Sequence, residues 1–103
     1  MKVRILWTPM ARADVKKIYI DLSKVNPQSA ERYFKDFREK VDLLTRHPLA
    51  GEKRPDVFPS VRMLVKAPYV ILYEATPDTL HDVVKHVLIV RVIDGRRDLK
   101  ALF

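Results

Sequence analysis

Residues 8–44 read TPMARADVKKIYIDLSKVNPQSAERYFKDFREKVDLL, and this stretch opens two helices with the same device. Thr8 can cap a helix with its hydroxyl, and Pro9 takes the first helical position, where a missing N–H is no loss. Ala11, Val15, Ile18 and Leu22 then recur at helical spacing, with Arg12, Lys16 and Lys17 on other faces. Asn26 and Pro27 repeat the cap. Ala30, Phe34, Phe37, Val41 and Leu44 follow at steps of four, three, four and three, an apolar stripe of about four turns. Glu31 before Lys35 and Asp36 before Lys40 predict two ion pairs on the opposite face. His47-Pro48 ends the helix. The connection between the two helices is short, so they are expected to form an antiparallel hairpin.

Outward from the hairpin the period changes. KVRILW, residues 2–7, alternates Val3, Ile5 and Trp7 against Lys2, Arg4 and Leu6, the pattern of a half-buried strand. LAGEKRPDVFPS, from Leu49, has two prolines, a glycine and no periodicity, and reads as a surface loop. VRMLVKA (61–67), YVILYEA (69–75) and VVKHVLIVRVI (83–93) are rich in β-branched and aromatic residues. Pro68 makes the first link tight, and TPDTLHD is turn-like. The last run is apolar on both faces and predicts a central strand. The order β-α-α-β-β-β predicts one α+β domain over residues 1–103, a helical hairpin packed on a mostly antiparallel sheet.

Composition narrows the function. The chain has 103 residues, 48% apolar and 32% charged, as expected of one globular domain with a modest core. Its longest apolar run, HVLIVRVI, is strand-sized and holds a charge, and MKVRILWTP is too short a run for a secretory signal. A cytoplasmic protein is expected. The absence of cysteine excludes disulfides, a thiolate nucleophile and cysteine-rich zinc sites. His81 and His86 are placed on opposite faces of a strand and His47 lies far away, so no metal pair is expected. Two glycines cannot build a phosphate-cradling loop, and no Ser stands in a nucleophile elbow. The net charge of +7 suggests an acidic partner. Residues 1–50 hold eleven basic and six acidic side chains against nine and seven in 51–103, so the excess lies in the first half.

The segments TPMARADVKKIYIDL, LLTRHPLAG, VRMLVKAPYVILYEA and IVRVIDGRRDLKALF, in that order over essentially the whole chain, resemble the RelE/ParE superfamily of bacterial type II toxins, and the ParE branch most. The resemblance implies the toxin of a toxin-antitoxin pair, of the kind tied to plasmid stabilisation, without cofactor or membrane partner. It implies a hetero-oligomer with a cognate ParD-like antitoxin whose flexible C-terminal segment is acidic. It offers two rival activities, inhibition of DNA gyrase and ribosome-dependent cleavage of messenger RNA. A degenerate, non-toxic antitoxin-binding regulator is the third reading.

The residues weigh these readings. Cleavage by a 2′-hydroxyl requires a base, an acid and fixed cations around the phosphorane. Arg62 and Arg91 are the candidate cations, with Lys66 on the face of Arg62 and Lys53 and Arg54 nearby in the loop. No His or Tyr follows Arg91, and Asp94 stands where many relatives carry His. An ionised aspartate is a poor general acid. Tyr69 and Tyr73, alternating with Ile71, read as core or partner contacts. Arg91 could instead pair with Glu74 or Asp98. A non-catalytic gyrase inhibitor that binds no nucleic acid stably by itself is therefore the leading expectation.

Asp94-Gly95 is a turn signal. After it Leu99, Leu102 and Phe103 form an apolar set expected to pack on the domain, while Arg96, Arg97 and Lys100 form a basic set expected to contact the target. The antitoxin segment is expected on Arg12, Lys16, Lys17, Lys35 and Arg38 of the hairpin and on Leu64 at the sheet flank.

Overall fold

A computed structural model describes residues 3–103. Strand β1 (Arg4–Trp7) leads into helices α1 (Pro9–Val25) and α2 (Pro27–Leu43). Strands β2 (Glu52–Lys53), β3 (Arg62–Lys66), β4 (Tyr69–Thr76) and β5 (His86–Asp94) follow, and a 3-10 helix spans Leu99–Leu102. The expected strand position of Lys2 lies outside the described residues.

The caps work as their residue types dictate. The Thr8 hydroxyl accepts from the Ala11 N–H at 3.0 Å and donates to the Val90 carbonyl at 2.7 Å, so it both starts α1 and ties it to β5. Asn26 closes α1 with its own N–H on the Leu22 carbonyl at 2.8 Å. Its side chain opens α2, accepting from the N–H groups of Gln28 at 3.0 Å and Ser29 at 3.3 Å. A single residue thus turns the hairpin. The expected helix-surface pairs are replaced: Glu31 accepts from the Tyr19 hydroxyl, Asp36 reaches Lys66 on β3 at 3.0 Å, and Lys35 approaches Glu39 at 4.0 Å. For Glu31 and Asp36 a contact with another element replaces an exposed pair within one helix, which contributes only tenths of a kcal/mol.

The sheet order is β1-β5-β4-β3-β2, antiparallel except that β1 runs parallel to β5. β5 therefore has a neighbour on each side, as its two apolar faces predict. Both helices cover one face, over a core that includes Phe37, Leu44, Ile71, Tyr73, Val87 and Ile89. Val70 and Leu72 alternate to the other face, where Val57, Val61, Ile93 and Leu99 make a second core. The stretch from Leu49 is thus more than a surface loop. It contributes β2 and drops Val57 into the back of the sheet, the face that neither α1 nor α2 covers. Val83 and Val84 precede β5, and His81 lies in the turn and not on the strand.

A bulge shapes β5. Leu72 pairs with Arg91 while Tyr73 pairs with Ile89, so Val90 is the extra residue. β1 ends opposite Ile89. Beyond that point the free backbone of β5 meets α1: Thr8 takes the Val90 carbonyl, and the Asp14 carboxylate accepts from the Val92 N–H at 3.0 Å.

Candidate functional site

The two sheet arginines are held by carboxylates. Arg62 forks onto Asp78 through Nε at 2.8 Å and Nη2 at 2.9 Å. Its Nη1 donates to the carbonyls of Leu49 at 3.1 Å and Gly51 at 2.8 Å. Tyr73 completes this cluster: its hydroxyl donates to the Pro48 carbonyl at 2.9 Å and accepts from the Gly51 N–H at 2.8 Å. Gly51 is required here, since a Cβ would lie 2.7 Å from the Tyr73 ring and 2.9 Å from the Met63 carbonyl oxygen. The bond to Asp78 raises the Arg62 pKa and lowers that of Asp78, while burial raises that of the Tyr73 phenol.

Arg91 forks in the same way, but onto Asp14 of α1, through Nε at 2.7 Å and Nη2 at 3.0 Å. This corrects the expected partners. Glu74 instead accepts from the Ser60 hydroxyl, and Asp98 precedes the 3-10 helix. The early end of β1 opposite Ile89 decides it, leaving the edge of β5 beside Arg91 to α1 and its Asp14. Arg54 is taken by Asp56 at 2.9 Å, and Lys66 by Asp36. Arg96 folds back on Asp94, with Nε on Oδ1 at 2.9 Å. That pair lowers the Asp94 pKa to about 2, which makes its carboxylic acid form scarcer near neutral pH. Arg62 and Arg91 are thus each held by a separate carboxylate, Asp78 and Asp14.

The Asp78 pair carries a pH signature. A carboxyl whose folded pKa lies below its unfolded value stabilises the fold fully above the unfolded pKa, near 4. That stability is lost as pH falls through the folded value. Asp78→Asn is therefore expected to cost roughly 2 kcal/mol at pH 6, with the gap to the wild type narrowing below about pH 4. Urea unfolding across pH 2–6 measures it, and a gap independent of pH would contradict the ion-pair account.

A different surface lies on the hairpin side. Two adjoining hollows of about 300 and 460 Å³ share Trp7, Val15 and Phe34. Phe34, expected in the core stripe, is 37% exposed and lines both hollows. Tyr19 stands edge-on to it with ring centroids 5.7 Å apart, and Arg38 caps its ring at 5.2 Å. Arg12 and Lys16 line one hollow and Arg38 the other. Of the expected antitoxin contacts, Lys17 and Lys35 are exposed but line neither hollow, and Leu64 is half-buried against the helix-side core. The exposed apolar residue of β3 is Val65. Sequence reasoning missed Trp7, Tyr19 and Phe34 as lining; their spacing signalled burial alone.

At the far end Leu99 is buried and Leu102 packs beside it, while Phe103 stays half-exposed against Phe58. Arg96, Arg97 and Lys100 are all exposed. Among the described residues no cluster of three or more His, Asp or Glu side chains could hold a metal. Among the described residues no helix is long and apolar enough to cross a membrane.

The family described as the ParE toxin of the type II toxin-antitoxin system parDE matches residues 5–99. The chain belongs to the ParE toxin family. The match runs from β1 to the 3-10 helix, so both helices, the bulged strand and both sheet arginines lie within the ParE region. This ParE chain is also similar to a chain of the chromosomal ParDE TA system from P. aeruginosa, with a TM-score of 0.68 and 25% identity. That similarity covers 89% of this chain and 95% of the other. No curated protein sequence matches. As a ParE toxin of a ParDE pair, the protein has an antitoxin partner.

Proposed function

We propose that this ParE toxin acts in the cytoplasm by binding and inhibiting DNA gyrase, without cleaving RNA, and that an acidic antitoxin segment neutralises it by lying in the hairpin groove. One observation carries the reading. The cations that a nuclease would need, Arg62 and Arg91, are each forked onto a carboxylate, with side chains 11% and 13% exposed. A guanidinium forked onto Asp78 or Asp14 has its charge already matched within the fold and is less available to a phosphorane, and the Tyr73 proton is committed to a backbone carbonyl. A binding function needs only shaped, accessible surface.

The groove fits the antitoxin for a separate reason. Apolar walls from Trp7, Val15 and Phe34 offer anchor sites, and Arg12, Lys16 and Arg38 place positive charge at the rim. A flexible acidic segment with Leu, Ile or Phe anchors would gain most of its affinity from the walls and its association rate from the rim.

Induced expression without antitoxin tests the activity. The expected result is filamentation with DNA damage, and no cuts in RNA when purified protein is added to translating ribosomes. Ribosome-dependent cuts that vanish in Arg62→Lys, in a variant shown to be folded, would replace this reading with RNA cleavage. No growth effect would point to a non-toxic regulator.

A further inference from the structure

Of the cations of the sheet and its loops, Arg54, Arg62, Lys66, Arg91 and Arg96 each meet a carboxylate, while Arg4, Arg46, Lys53 and Lys85 form no salt bridge among the described residues. Among the described residues Arg97 and Lys100 meet none. These two belong to the segment that carries Phe103, and Phe103 lies against Phe58 from a loop 45 positions away, with ring centroids 5.6 Å apart and planes inclined by 39°. The rings are 46% and 40% exposed.

Beneath them Val57 and Leu99 are buried and Leu102 packs against the same second core. The platform is stiff. Pro55 and Pro59 bracket the loop, the N–H groups of Val57 and Phe58 both reach the Arg54 carbonyl, and Arg54 is clamped on Asp56. The Phe58 loop has little freedom left to lose on binding, and exposed aromatic anchors with charge at their rim match the make-up of an interface. The platform lies on the Val70 and Leu72 side of the sheet, whereas the groove lies on the Ile71 and Tyr73 side.

We propose that Phe58, Phe103, Arg97 and Lys100 form the surface through which this toxin docks on its target, an acidic protein face bearing an apolar projection, across the sheet from the antitoxin groove. Charge complementarity sets the occupant: the unpaired charges on Arg97 and Lys100 call for carboxylates opposite them. The exposed rings of Phe58 and Phe103 call for an apolar projection beside those carboxylates, which a protein face supplies and a phosphate backbone does not. The proposal rests on the toxin reading but not on gyrase.

The experiment compares three charge or ring variants for growth arrest after induction, and for binding of the purified product of the adjacent gene. Phe58→Ala/Phe103→Ala and Arg97→Glu/Lys100→Glu are each expected to weaken arrest at least about tenfold while binding the antitoxin within about twofold of wild type. Arg12→Glu/Lys16→Glu is expected to do the reverse. Arrest at the wild-type level in either platform variant overturns the proposal. So does a loss of antitoxin binding in Arg97→Glu/Lys100→Glu, whose exposed side chains do not support the fold. Inhibition of purified gyrase is read separately: platform variants that behave as expected, with gyrase unaffected by wild type, would sink gyrase as the target and keep the surface. A wild type without growth effect sinks both.

Discussion

Arg62→Ala is expected to lower stability by about 3–5 kcal/mol, the range for removing one partner of a buried ion pair. The guanidinium serves four acceptors at once: both oxygens of Asp78 and the carbonyls of Leu49 and Gly51. Its removal leaves a carboxylate without its counter-ion and opens the cluster that Tyr73 and Gly51 complete. For a domain of this size the midpoint should fall by roughly 4–8 °C per kcal/mol. Arg62→Lys keeps the charge but cannot reproduce a planar fork, so it should recover only part of the loss. Thermal and urea unfolding of the two variants measure this. A variant with an unchanged midpoint would show that Arg62 is spare and return it to the list of catalytic candidates.

The second large effect belongs to Asp14, a residue that nothing in the sequence had singled out. Asp14→Ala should cost about 3 kcal/mol, because it strands the Arg91 guanidinium and leaves the Val92 N–H open where the sheet has no further strand. Asp14→Asn retains an acceptor for that N–H and should cost less. The sharper comparison is Asp14→Leu with Arg91→Met: two apolar side chains of similar reach leave no unpaired charge, and most of the lost stability should return. Equal instability of the double and single variants would refute the ion-pair account. If the double variant folds and still arrests growth, Arg91 has no part in the toxin's chemistry.

These two arginines also mark where local reading stops. Both helices follow from residues a few positions apart: Thr8 with Pro9, Asn26 with Pro27, and apolar stripes at steps of three and four. The strands were legible in outline for the same reason, their ends shifted by up to three residues where Val83 and Val84 lead into β5. Arg62 and Asp78 are 16 positions apart, and Arg91 and Asp14 are 77 apart. Glu74 and Asp98 were the nearer guesses for Arg91. The early end of β1, which leaves the edge of β5 to α1, made Asp14 the partner, and no periodicity encodes it.

The proposed binding surfaces divide in the same manner. Arg12, Lys16 and Arg38 could be named from charge on helix faces, yet only packing shows that Lys17 and Lys35 stand apart from the hollows. Phe34 carries the same apolar signal as Phe37, one exposed and the other buried, because a stripe records which side of a helix is apolar and not how much of it a neighbour covers. Phe58 and Phe103 meet only once the chain has folded over the back of the sheet.

By itself the sequence determined the hairpin, the strand content, the α+β class and the resemblance to a toxin family, since caps, turns and hydrophobic period act over a few residues and survive in one dimension. Only the tertiary structure decided the parallel seating of β1, the partners that lock Arg62 and Arg91, and the two surfaces on opposite faces of the sheet. Each of those depends on distance in space between residues far apart in the chain, and a charge finds its partner by proximity after the backbone is placed.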